Sequence, residues 1–251
     1  DITAAPALEL RGIRKRFGDV LALDGVDFRV AAGTVHALLG ENGAGKSTLM
    51  RIAFGLLQAD AGTVSIDGRH MTSLTVRNAS RAGLGMVHQH LSLAPGLNAA
   101  ENVSLGGQGV YRPRQAMRRL RALAQQSGLD VPADARAGDL SIVQQQRLEI
   151  LKALARDAKV LILDEPTAVL APPETAELMV WIRRFCASGG SVVLVTHKLR
   201  EAHAIADDIT VLRRGQMTYG GHARATTEAR LAQAIFPDVE PLPATLAIVP
   251  A

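Results

Sequence analysis

Val35-His36-Ala37-Leu38-Leu39-Gly40-Glu41-Asn42-Gly43-Ala44-Gly45-Lys46-Ser47-Thr48 is the stretch on which the fold turns. Its first five residues are nearly all apolar, as in a strand buried on both faces of a sheet. Residues Lys46–Leu57 suit a helix, and between the two lies the spacing G-x-x-x-x-G-K-[ST]. A strand, a glycine loop and a helix in that order are the context in which this spacing carries chemistry. Glycines let backbone N–H groups turn inward around phosphate oxygens, and the start of the helix adds positive potential. Lys46 is placed to reach the β- and γ-phosphates, and the Ser47 hydroxyl to ligate Mg²⁺. Gly40, Glu41, Asn42, Gly43, Ala44, Gly45, Lys46, Ser47 and Thr48 are therefore candidate ligands of a nucleoside triphosphate.

Val160-Leu161-Ile162-Leu163-Asp164-Glu165 is an apolar run ending in two carboxylates. A buried strand delivers such residues at its C-terminal end, where open α/β sheets bind ligands. Asp164 can hold Mg²⁺ through water, and Glu165, on another face, can orient or deprotonate an attacking water. Taken alone, a strand ending in Asp-Glu is more often a solvated turn. Its position after a phosphate loop reverses that reading.

Working outward, Leu8–Phe17 mostly alternates apolar and polar residues, as a half-buried antiparallel strand does. Val26–Val30 follows a turn-like Asp24-Gly25, so the chain is expected to open in a small antiparallel β-layer. Val64–Ile66, Gly85–Gln89, Val160–Leu163, Ser191–Thr196, Asp208–Arg213 and Gln216–Tyr219 read as further short strands. Helical stretches separate several of them, the clearest being Pro173–Ser188, which starts on Pro and ends at Gly189-Gly190. This alternation predicts an α/β fold with a mainly parallel sheet. Residues 98–156 carry a helical pattern without a strand and are expected to form an inserted helical subdomain. Residues 237–251 hold four prolines and read as a tail or linker after a nucleotide-binding unit spanning 1–236.

The 251 residues fit one large domain, or one domain with a subdomain. Hydrophobic residues make up 47% and charged residues 21%, which excludes disorder throughout. A net charge of +4 is too small to identify a nucleic-acid binder without a motif. The single cysteine, Cys186, excludes an internal disulfide framework, fits a reducing compartment and reads as a small buried hydrophobe. No apolar run approaches the length of a membrane span, and Asp1-Ile2-Thr3 opens no secretory signal pattern. The absent initiator Met points to a trimmed or excised domain.

Five motifs occur in one order: the phosphate loop; Gln89 in Val87-His88-Gln89-His90; Leu140-Ser141-Ile142-Val143-Gln144-Gln145-Gln146-Arg147; Leu163-Asp164-Glu165-Pro166-Thr167; and Val195-Thr196-His197. In this the chain resembles ATP-binding cassette (ABC) ATPases over about residues 8–220. The resemblance implies a P-loop NTPase core, ATP and Mg²⁺ as cofactors, and ATP hydrolysis as the activity. It likens Phe17 to the family's adenine-stacking aromatic, the other reading being a core aromatic at a strand end. Gln89 resembles the residue that touches Mg²⁺ and links core to helical subdomain. His197 resembles the switch histidine that bonds the γ-phosphate and positions Glu165, against a satisfied surface histidine. Ser141, Val143 and Gln144 stand in the signature that contacts the nucleotide of the opposite subunit.

Two elements depart from the family pattern. Val143 stands where the signature's second glycine is usual, and Ala168-Val169-Leu170-Ala171 replaces a loop ending in Asp. Both act across the dimer of cassettes, whereas Lys46, Ser47, Asp164, Glu165 and His197, which act within one chain, are intact. The expectation is one half of an unequal pair. Arg147–Leu154, Glu165–Leu170 and Thr196–Glu201 resemble the sugar and nucleoside importer branch, where two unlike cassettes lie in tandem, and this would be the first. That implies as partners a second cassette, a transmembrane permease and a substrate-binding protein, with no nucleic acid, at the cytoplasmic face of the membrane. The alternatives are a soluble ABC ATPase acting on nucleic acid or ribosomes, and a regulatory cassette that does not hydrolyse ATP. The basic run Arg112, Arg114, Arg118, Arg119 and Arg121 reads as a solvated helix face or as a surface near anionic headgroups or an acidic segment.

Overall fold

The computed structural model describes residues 5–89, 91–106 and 111–237. His90 and all of the expected tail beyond Pro237 lie outside the described residues. The strands are β1 (Leu8–Phe17), β2 (Val20–Val30), β3 (Val35–Leu39), β4 (Ala61–Ile66), β5 (Arg69–His70), β6 (Leu84–Val87), β7 (Val160–Asp164), β8 (Ser191–Val195), β9 (Asp208–Arg213) and β10 (Gln216–His222). The helices are α1 (Lys46–Ala53), α2 (Val76–Arg81), α3 (Ala99–Ser104), α4 (Pro113–Ser127), α5 (Ile142–Leu154), α6 (Pro172–Ala187), α7 (Leu199–Ile205) and α8 (Glu228–Ile235).

Two sheets form. One is antiparallel, ordered β2-β1-β4-β5; the other is ordered β10-β9-β3-β8-β7-β6 and is parallel except for β10 against β9. The fold is α/β with a mainly parallel sheet and an N-terminal antiparallel layer. β7 and β8 show why their sequences read as unbroken apolar runs. Leu161, Leu163, Val192 and Leu194 face the core shared with α4, α5 and α6, while Val160, Ile162, Val193 and Val195 face the core under the antiparallel layer. Side chains alternate across a strand, so burial of both faces requires every residue to be apolar. The third cluster joins Ala37, Leu39, Ile209 and Val211 to α7 and α8.

Several boundaries differ from the sequence reading. β2 starts at Val20, and Asp24-Gly25 lies within it as a bulge: Ile13 pairs with Val26 and Lys15 with Leu23, leaving two residues opposite one. α1 ends at Ala53 rather than Leu57, because the Leu56 and Leu57 N–H groups both bond back to the Arg51 carbonyl at 2.9 and 3.2 Å instead of extending the ladder. β6 stops at Val87, paired with Leu163, where β7 is about to end. The short β5, α2 and α8 were not foreseen; Thr75 and Thr227 cap the two helices by accepting the N–H groups of Asn78 and Arg230. Among the described residues no helix is long and apolar enough to cross a membrane. Cys186 is buried in α6, and burial pushes its thiol up to about 11, as expected of an inert core cysteine.

Candidate functional site

β3 delivers the glycine loop at its C-terminal end, and α1 begins at Lys46. Gly40 has φ 149°, and a Cβ there would collide with the backbone carbonyl of Leu212. Gly45 has φ 106°, and its Cβ would come within 2.8 Å of the Ala22 carbonyl. Only glycine meets both conditions at both places. The turn after β9 braces the loop, since the Gly215 N–H donates to the Ala44 carbonyl at 3.0 Å. No side chain caps α1, so its first-turn N–H groups stay available to a ligand. Lys46 is buried, with Nζ donating to the carbonyls of Gly40 at 2.6 Å and Glu41 at 2.9 Å. Burial lowers its pKa, and the Glu165 and Asp164 carboxylates oppose that shift.

Asp164 closes β7 beneath this loop. Its carboxyl is buried, which raises its pKa; a hydrogen bond from the Ser47 side chain works the other way. Oδ1 of Asp164 is buried without a hydrogen-bond partner. A buried, unpartnered carboxylate oxygen beside a hydroxyl is a hard oxygen donor set, and it fits Mg²⁺. Glu165 turns into the left-handed region at φ 52°, where its N–H donates to the Val195 carbonyl at 2.9 Å. Its carboxylate lies 2.9 Å from Nδ1 of His197, which follows β8. The imidazole is otherwise exposed.

The structure thus brings Lys46, Ser47, Asp164, Glu165 and His197 together. Gln89 is exposed two residues beyond β6. Its neighbour His88, which sequence reasoning passed over, is half-buried near Glu149 and Asp164; burial lowers its pKa against those carboxylates. Adjacency to Gln89 was the available signal. Phe17 ends β1 with 48% of its surface exposed and the Lys15 ammonium 5.5 Å from its ring centre, so it is not a core aromatic.

Ser141, Val143 and Gln144 lie elsewhere, at the start of α5. Ser141 Oγ accepts the Gln144 N–H at 3.3 Å and Gln144 Oε1 accepts the Ser141 N–H at 3.1 Å, a reciprocal cap. The half-buried Val143 lines a groove of about 430 Å³ with Leu129, Ile150, Leu170 and Trp181. Among the described residues, no hydrogen bond or ion pair joins these three to the phosphate loop. Ala171 precedes α6, where its N–H is capped by Glu174 at 2.8 Å.

The profile of the ABC transporter family matches residues 23–168. The nucleoside import ATP-binding protein NupA of Lactococcus lactis subsp. cremoris is 45% identical over 213 residues, covering 83% of this chain and 42% of that protein. The ribose import ATP-binding protein RbsA 1 of Burkholderia thailandensis is 47% identical over 226 residues, covering 88% and 44%. The chain therefore spans less than half the length of these relatives. Among solved structures, a dimeric post-hydrolysis state of an ATP-binding cassette bound to ADP and Pi superposes with a TM-score of 0.75 at 26% identity, covering 86% of this chain and 99% of that one.

Proposed function

The chain belongs to the ABC transporter family, and on that premise we propose that it is the ATP-binding and hydrolysing cassette of an importer for a simple sugar or nucleoside. The observation that carries this reading is the convergence of a buried ammonium, a hydroxyl–carboxylate pair and a carboxylate–imidazole pair on one glycine loop. The relatives, import ATP-binding proteins for nucleosides and ribose, favour import over action on nucleic acid or ribosomes.

The roles follow from the local chemistry. Loop N–H groups and Lys46 neutralise the β- and γ-phosphates, with Phe17 offering an open ring face to adenine. Ser47, Asp164 and Gln89 would hold Mg²⁺, which supplies charge neutralisation at the phosphates when bound. Glu165 orients or deprotonates water for in-line attack on the γ-phosphorus, and His197 holds the Glu165 carboxylate and donates towards the γ-phosphate. Ser141, Val143 and Gln144 act on the nucleotide of a second cassette, which is unlike this one and in tandem with it. A transmembrane permease at the cytoplasmic face of the membrane and a substrate-binding protein complete the assembly. Residues 1–236 act as the nucleotide-binding unit, with a helical subdomain over about 98–156, and the tail from Pro237 begins the linker.

The test is ATP turnover by the purified chain with and without Glu165→Gln, beside direct measurement of ATP affinity. Glu165→Gln is expected to cut turnover by at least about 100-fold while ATP binding survives. Unchanged turnover in that variant, or no ATP binding by the wild type, would overturn the reading.

A further inference from the structure

Behind Glu165 lies a closed ring of polar contacts that the roles above leave unused. Thr167 is 2% exposed, and its Oγ1 donates to Glu201 Oε2 at 2.6 Å. The Thr167 carbonyl accepts from Lys198 Nζ at 2.9 Å, and the same ammonium meets Glu201 Oε1 at 3.1 Å. The first two of these contacts join two segments, and the Lys198–Glu201 pair closes the ring within the second. One carries Glu165 two residues before Thr167, and the other carries His197 immediately before Lys198. A fourth tie comes from α5, where the buried Gln146 donates Nε2 to the Pro166 carbonyl.

The ring answers a structural need. Glu165 occupies a left-handed backbone conformation that a side-chain-bearing residue holds only when its surroundings enforce it. Its carboxylate must also stay against an imidazole carried by a different element, with an exposed ring. Charge-assisted bonds at a buried threonine are the kind that fix such a geometry.

We infer that Thr167 is the positioning residue of the hydrolytic pair: through Glu201 and Lys198 it holds the Glu165 carboxylate on His197 Nδ1, and Gln146 extends that hold to α5. The inference rests on the proposed hydrolytic role of Glu165 and His197, but the ring itself can be read without nucleotide. The variants are Thr167→Val, which keeps the shape and removes the donor, and Thr167→Ser, which restores it. Two readouts are compared: kcat and KM for MgATP, and the ¹⁵N imidazole signal of His197 in nucleotide-free protein, assigned with His197→Asn.

Thr167→Val is expected to lower kcat about 10- to 100-fold with KM within about twofold, the signature of a misplaced reacting group. The His197 Nδ1 signal should lose its carboxylate-bonded shift, Thr167→Ser should restore both, and in a Glu165→Gln background the Val substitution should change nothing further. If Thr167→Val does not fold, Lys198→Met opens the ring from its half-buried side with the same expectation. An unchanged His197 signal, or a kcat loss that persists in the Glu165→Gln background, would overturn the inference. A wild type without Glu165-dependent turnover would sink the hydrolytic reading, while the His197 signal still decides the ring.

Discussion

The loop-bearing end of the parallel sheet and the start of α5 both carry motifs of the same family, yet they treat their polar groups in opposite ways. At the first, donors and acceptors are left open: Asp164 Oδ1 is buried without a partner and α1 has no capping side chain. At the second, the Ser141 and Gln144 side chains cap each other's backbone N–H groups, and half-buried Val143 lines a groove. An orphaned buried acceptor is costly and persists where a ligand completes it. A closed capping box is stable as it stands. On the proposed function, the first region is the cassette's own half-site and the second its reduced contribution to a partner.

The largest expected effect falls on the first region alone. Lys46→Met should weaken ATP affinity by about 100-fold or more, since it removes the buried ammonium that the proposed function sets against the phosphates. Ser141→Ala should leave the affinity of the monomeric chain unchanged. Equilibrium binding of a fluorescent ATP analogue measures both, and equal losses would erase the distinction between the two regions.

A second effect reaches the loop through its supporting strand. His36 of β3 is buried against Phe28 with Nε2 2.8 Å from Thr210 Oγ1, and burial pushes its pKa down from 6.5 to about 4. A depressed folded-state pKa favours the neutral ring in the folded chain. Stability is therefore full above about pH 6.5 and falls as the pH drops towards 4, by roughly 3 kcal/mol in all. His36→Gln should flatten that part of the profile in urea titrations. A slope unaltered by the substitution would assign it to other groups.

Smaller effects belong to α5. Val143→Gly should raise turnover of the paired chain several-fold while lowering the unfolding free energy by about 1 kcal/mol, through lost groove packing and a freer backbone. Ser141→Ala should lower it by about 1 kcal/mol as the cap is lost. Chemical denaturation measures both.

How much of this could be read from residues alone depended on how local the chemistry is. The phosphate loop is contiguous, and its glycines, Lys46 and Ser47 stand in one run between a strand and a helix. The end of β7 at Asp164-Glu165 was legible because a strand buried on both faces is apolar along its run, which stops at the first carboxylate. The bulge at Asp24-Gly25 looked like a turn because only pairing with β1 reveals the extra residue. The Thr167–Glu201–Lys198 ring was invisible, since it joins side chains up to 34 positions apart. His88 gave no signal of its own, as its half-buried place near Glu149 and Asp164 depends on where α5 and β7 pass.

The claim that the two regions are unequal is most directly tested by mixing two forms of the chain. One is the wild type, with its own half-site intact. The other is the double variant Val143→Gly, Glu165→Gln, whose own turnover is expected to be at least about 100-fold lower but which offers a signature with its glycine restored. ATP turnover per wild-type chain should rise in the mixture above that of the wild type alone. Turnover that stays level or falls as the double variant is added would contradict the account.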